Sequence, residues 1–202
     1  MRWSWDFPPS CQRHFTYPPH GSQTLTSEAA VKFNRPIVVT GLMGAGKSSV
    51  ARILAAELGR ELRDSDPDLS ARYGGATAAQ TAEREGVEEL HRREAEHLRE
   101  SLAEQPPPVI AAAASVVEDP ACREALASAL VVWLDAPAEV LAERMLSGGH
   151  RPHFEPDLDV MLTKQRARRG PFFAEVADLT FDVSAAEPAE VASSVLASLG
   201  DR

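Results

Sequence analysis

Short apolar runs alternate along this chain with stretches whose apolar residues recur every three to four positions. The run PIVVT, bounded by Pro36 and Gly41, suits a buried parallel strand, and SSVARILAAELG follows it at helical spacing, ending on Gly59 as a C-cap. Further apolar runs occur in PVIAAAAS from Val109 onward, in LVVWLDA at residues 130–136 and, more weakly, in DLTFDVS at residues 178–184. With the short run before Asp64 they predict about five strands. Helical patterns lie between and after them: TAEREGVEELHRREAEHLRESLAE, which is heavily charged and solvated on one face, then PACREALASA, PAEVLAERMLS and EPAEVASSVLASL. Strands alternating with helices imply an α/β fold, a parallel sheet covered on both faces.

The first 34 residues break this pattern. Pro8, Pro9, Pro18, Pro19 and Gly21 punctuate a stretch rich in Ser, Thr and His, and residues 1–34 read as a disordered extension. Its aromatics, Trp3, Trp5, Phe7, Phe15 and Tyr17, would suit a docking peptide, and a mis-assigned translation start explains the stretch equally well. Residues 35–202 are then a single domain, because 202 residues at 44% hydrophobic content support one well-packed core.

Charge and cysteine content narrow the partners. A formal net charge of −9 argues against nucleic acid, whose affinity comes largely from neutralised phosphates, while leaving room for a small anionic substrate in a local basic pocket. Cys11 and Cys122 are the only cysteines, too few for a disulfide framework or a CxxC metal site. No run reaches the roughly 18 to 20 apolar residues that span a bilayer, and Asp6, Pro8 and Pro9 interrupt what would be a signal-peptide core. A cytoplasmic monomer with no membrane partner is expected.

The stretch GLMGAGKSSV, residues 41–50, carries the strongest chemical signal. Gly41, Gly46, Lys47 and Ser48 meet the spacing G-x-x-x-x-G-K-S directly between a predicted strand and a predicted helix. Glycines there let backbone N–H groups turn inward around phosphate oxygens, the helix N-terminus adds a favourable dipole, the lysine neutralises β and γ phosphates, and the serine hydroxyl reaches Mg²⁺. The chain is therefore expected to bind ATP and Mg²⁺ through Gly41, Gly44, Ala45, Gly46, Lys47, Ser48 and Ser49.

After that helix comes RELRDSDPDLSARYG. If a strand leads into it, Asp64 and Asp66 sit at the strand's C-terminal end and point the same way, since strand side chains repeat every two residues. That edge is where open α/β sheets bind ligands. One carboxylate would complete the Mg²⁺ shell and the other would accept a proton from a substrate hydroxyl. Taken alone, the same turn also reads as a solvated loop or a helix N-cap.

Residues 41–66, GLMGAGKSSVARILAAELGRELRDSD, resemble the opening of the shikimate kinase family, small-molecule P-loop kinases with the nucleoside monophosphate kinase fold. The resemblance continues through VVWLDAPAEVLAERM, the lid-like HRPHF and RRGPFFAEVADL, and spans nearly everything from Asn34 onward. It implies a three-layer P-loop kinase fold with a lid and a helical substrate-binding segment, and a phosphotransferase acting on a hydroxyl of a small molecule. On that resemblance Asp64 assists the metal, Asp66 contacts the acceptor hydroxyl, and Lys47 belongs to the phosphate site. Arg151 is the lid arginine that closes over the phosphates, beside Gly148 and Gly149, and Arg169 grips a substrate carboxylate. Pro188 and Arg144 are weaker matches to adenine neighbours.

The acceptor half departs from the family pattern. A run resembling VIATGGGAV is common in relatives, and the aligned positions here are Ala113, Ala114 and Ser115, each with an added Cβ. Relatives commonly read F-R-x-x-E where this chain has Leu90, His91 and Glu94, and a neutral imidazole lacks the fork an arginine offers a carboxylate. Arg92 is adjacent but points about 100° away on a helix. Gly170 and Phe173 stand where acidic and tyrosine residues are frequent. The resulting expectation is an ATP-dependent kinase with an acceptor site formed by Asp66, His91, Ala113, Ala114, Ser115 and Arg169, and an acceptor other than shikimate. An authentic shikimate kinase and a non-catalytic ATP-binding regulatory module are the competing readings.

Overall fold

The computed structural model describes residues 33–147 and 158–200. Five strands, β1 (Ile37–Gly41), β2 (Leu62–Asp64), β3 (Val109–Ala111), β4 (Leu130–Asp135) and β5 (Leu179–Asp182), pair in the order β2-β3-β1-β4-β5. Every pairing is parallel. Ile37, Val38 and Val39 of the central strand are fully buried, which is why β1 reads as a continuous apolar run rather than an alternating one.

The helices are α1 (Lys47–Leu58), α2 (Ser65–Arg72), α3 (Ala78–Glu85), α4 (Val87–Leu102), α5 (Pro120–Leu126), α6 (Ala138–Ser147), α7 (Leu158–Val176) and α8 (Pro188–Gly200). A short 3₁₀ turn covers Val116–Glu118. Helix α1 packs on β1, β2, β3 and α8, while α5 packs on α4 and α7, and α7 on β4. The chain moves leftward from β1 to β2 and rightward at each later crossover, so right-handed connections place α1 on one face and the intervening helices on the other. The result is the expected three-layer α/β arrangement. No helix among the described residues is long and apolar enough to cross a membrane.

Three local features differ from the sequence expectation. The long charged helical pattern is two helices, because Gly86 at φ 95° ends α3 and starts α4. The acidic turn after β2 is helical: α2 begins at Ser65, so Asp66 lies in a first helical turn and not on the strand with Asp64. Strand periodicity therefore does not set the relation of the two carboxylates. The run from Val109 stops pairing after Ala111, so the alanines beyond it are loop.

Helix α7 has no counterpart in the apolar pattern. Its apolar residues are spread around the axis, and Gly170 and Pro171 read as a breaker although Pro171 lies inside the helix. Leu162 and Phe173 anchor it, and Phe173 stacks on Trp133 of β4 with ring centroids 5.6 Å apart. Such an aromatic pair contributes roughly 0.5–1.5 kcal/mol beyond its buried area. The phenylalanine at this family tyrosine position thus faces the core. Phe33, which sequence composition places in the extension, also packs against the core, and Arg60 lies over its ring.

Candidate active site

Gly41 ends β1 where the backbone passes β4. A Cβ there would lie 2.4 Å from Leu134 O, and φ is 140°. At Gly44, φ is 82° and a Cβ would lie 2.8 Å from Leu141 O. Only glycine fits either position, and the loop between them wraps the N-terminus of α1. Lys47 Nζ donates to Leu42 O at 3.1 Å, which folds the amine back over the loop. The remaining loop positions assigned to nucleotide, Ala45, Gly46, Ser48 and Ser49, lie between these glycines and the first turn of α1.

Asp64 meets this loop from the end of β2. Register pairs it with Ala111 of β3, and Ala111 with Val39 of β1, so all three chains turn out of the sheet at one level. Asp64 is buried. Burial pushes its carboxyl above the usual range, opposed by a hydrogen bond from the Ser48 hydroxyl and by Lys47, while Asp66 adds to the rise. Ser48, Asp64, Asp66 and Lys47 are therefore one electrostatic cluster, although they come from three separate elements. Two buried hydroxyls at this edge, Thr40 Oγ1 and Ser65 Oγ, have no hydrogen-bond partner among the described residues.

The turn that carries Asp64 and Asp66 is braced by two residues that motif reading does not single out. Asp68 Oδ2 accepts from the Asp64 backbone N–H at 3.1 Å and lies 2.9 Å from Nε2 of His97, a buried histidine of α4. The pair is 29 positions apart, a separation no local pattern encodes.

The residues expected on the acceptor side come from α4, the loop after β3, and α7. None of the described non-glycine residues has positive φ, so Ala113, Ala114 and Ser115 are unstrained and their Cβ atoms cost no left-handed conformation. Ser115 Oγ donates to Glu94 Oε2 in a buried contact. Burial raises the Glu94 carboxyl to about 7, opposed by that hydroxyl, with Asp66 adding to the rise and Arg169 and Lys47 lowering it. This one buried carboxyl thus senses both ends of the site. His91 is lowered by burial and by Arg169, with Glu118 opposing, which holds its ring toward the neutral form. A cleft beside these residues is lined by Asp66, Leu69, Tyr73, Leu90, Arg93 and Glu94, among others.

Arg169 is 6% exposed on α7, and Glu118 reaches it from the 3₁₀ turn. Arg92 pairs with Glu89 and Glu96 on the exposed face of α4 and does not stand in for His91. Arg93 is buried instead, bonded to Glu85 and Glu89 with its guanidinium 3.9 Å above the Tyr73 ring. Arg144 donates to Val183 O and Ser184 O, tying α6 to the chain that leads to Pro188 at the start of α8. Arg151, Gly148 and Gly149 lie outside the described residues.

The comparisons with known proteins agree with this layout. The family described as Shikimate kinase matches residues 43–200. The shikimate kinase of Symbiobacterium thermophilum is 36% identical over 170 residues, covering 82% of this chain and 97% of that protein. That of Paramagnetospirillum magneticum is 35% identical over 152 residues, covering 71% and 74%. The structure of shikimate kinase from Acinetobacter baumannii in complex with shikimate superposes with a TM-score of 0.77 at 31% identity, covering 85% of this chain and 95% of that one. Match, coverage and sheet order together mean that the chain belongs to the shikimate kinase family, P-loop phosphotransferases with a hydroxyl acceptor.

Proposed function

We propose that this chain transfers the γ-phosphoryl group of MgATP to a hydroxyl of a small polyhydroxylated molecule held between Asp66 and Arg169. The observation that carries this reading is the cluster of Ser48, Asp64, Lys47 and Asp66 around one loop. Ser48 and Asp64 offer hard oxygen donors of the kind Mg²⁺ takes together with nucleotide phosphates, so the residues fit the ion. Bound there with ATP, Mg²⁺ would neutralise charge on the β and γ phosphates.

The chain's own residues do the rest. Lys47 moves from Leu42 O to the phosphates, and loop N–H groups from Gly44 to Ser49 line the oxygens. Asp66 takes the proton of the acceptor hydroxyl as it attacks. Arg151 closes over the transferring group and stabilises its charge. A cytoplasmic monomer, built as one domain from residue 35 onward, completes the proposal.

The relatives' names favour shikimate itself as the acceptor over an altered one. A second reading, an acceptor that differs from shikimate, is favoured by His91, by the side chains at Ala113, Ala114 and Ser115, and by the pairing of Arg169 with Glu118. The kinase reading is tested by ADP release from purified protein with MgATP, with and without shikimate and other hydroxylated compounds, using Asp66→Asn as the blank. Acceptor-dependent release that disappears in the variant is the expected result. ATP binding with no acceptor-dependent release across the panel would overturn it.

A further inference from the structure

A buried histidine stands behind the pair of residues assigned to magnesium. His97 lies on α4 and is 4% exposed, and its Nε2 is 2.9 Å from Asp68 Oδ2. The same oxygen accepts the backbone N–H of Asp64 at 3.1 Å. Asp64 ends β2, the edge strand of the sheet, and directly precedes α2. Its own carboxyl takes the Ser48 hydroxyl from the first turn of α1. His97, Asp68, Asp64 and Ser48 thus form one series of hydrogen bonds that runs from α4 to the phosphate loop.

The series has a fixed end and a free end. Burying an imidazole is costly unless its ring finds a partner, and the partner His97 takes is a carboxylate 37% exposed, which water could solvate equally well. What the histidine adds to Asp68 is therefore direction. Asp68 passes that direction on, because an edge strand has no further neighbour for its outward N–H groups and the Asp64 N–H takes a side chain instead. With its N–H tied, Asp64 keeps the extended conformation, φ −124° and ψ 117°, from which its carboxyl meets Ser48. Helix α4 packs on α2, so the anchor belongs to a different element from the residues it aims.

We propose that His97 and Asp68 are positioning residues for magnesium, fixing the Asp64 carboxylate against the Ser48 hydroxyl so that the two side chains meet the ion that accompanies ATP. The proposal rests on the magnesium seat of the proposed function, and both residues act through Asp64.

The experiment measures ATP binding to the full chain by calorimetry, once in EDTA and once with magnesium chloride. Wild type is compared with three variants. His97→Leu removes the ring's hydrogen bond and leaves every carboxylate in place, Asp68→Ala removes the whole brace, and His97→Gln supplies an amide N–H that can reach Asp68. Loss of a partner behind a metal ligand costs about 10- to 100-fold in metal affinity, so ATP with magnesium is expected to bind about 10-fold or more weakly to His97→Leu and Asp68→Ala, while ATP in EDTA binds all four proteins alike. His97→Gln is expected to stay near wild type in both conditions. An equal loss in EDTA and in magnesium would assign the pair to the shape of the loop alone, and a magnesium gain as large in the variants as in wild type would leave it no part in metal binding. Either result overturns the proposal while the magnesium seat stands. Wild type that binds ATP equally with and without magnesium overturns the seat and the proposal together. If melting curves show that His97→Leu does not fold, Asp68→Ala decides by the same comparison.

Discussion

At the phosphate end the backbone itself sets the geometry: Gly41 and Gly44 pass so close to Leu134 O and Leu141 O that no side chain fits. At the proposed acceptor end, Ala113, Ala114 and Ser115 carry side chains at ordinary φ, and the shape comes from contacts such as Ser115 with Glu94 and Arg169 with Glu118. A backbone cradle has one solution, so its glycine spacing is recognisable in a single sequence. A site made of side chains can be rebuilt one residue at a time without disturbing the sheet beneath it. On the proposed function, the reaction type is written in the first end and the acceptor in the second.

The sharpest way to break this contrast is Gly41→Ala. Its Cβ would press on a backbone oxygen that cannot retreat, and a loss of about 3 kcal/mol or more is expected in urea denaturation. Near-native stability would mean that β1 and β4 can part without cost. Asp66→Asn acts on chemistry instead, with kcat expected to fall roughly 10³-fold while the melting temperature holds, as for a lost general base. A fall of less than about 10-fold would assign the proton to another group.

Glu94→Gln sharpens the comparison from the acceptor side. The Glu94 carboxyl is raised from 4.5 to about 7 in the folded protein, so the folded state binds the proton more tightly than the unfolded chain. Its contribution is fully present below about pH 4.5 and is lost as pH rises through 7, a swing of roughly 3 kcal/mol for a shift of this size. Wild type should thus lose stability between pH 5 and 8 relative to Glu94→Gln, and parallel melting curves across that range would refute it. The smallest effect is expected for Ala114→Gly. With no left-handed residue to relieve, the change only loosens the unfolded chain and lowers stability by about 0.5–1 kcal/mol. A gain in stability would reveal strain in the loop.

What the sequence discloses follows the same division. The strand order begins with apolar runs that are legible because both faces of β1 are buried, and the glycine loop is legible because backbone demands leave invariable spacing. Helix α7 is hidden, since Gly170 and Pro171 mimic a terminator and Leu162 and Phe173 lie too far apart in sequence to show a stripe. The residues that brace or line the site are hidden for another reason. Asp68 with His97 and Glu118 with Arg169 are 29 and 51 positions apart; Arg169 alone stands in a motif, and the other three look like ordinary surface residues until the sheet brings the helices together. The backbone at Asp66 is hidden too, because a helix that starts at Ser65 leaves no apolar pattern of its own.

The stack of Trp133 on Phe173 gives the protein a built-in optical gauge. Phe173 lies one helical turn beyond Arg169, so any displacement of α7 changes the ring on which the indole rests. The other two tryptophans, Trp3 and Trp5, lie in the first ten residues, and replacing both with phenylalanine leaves an emission signal that reports on that one helix.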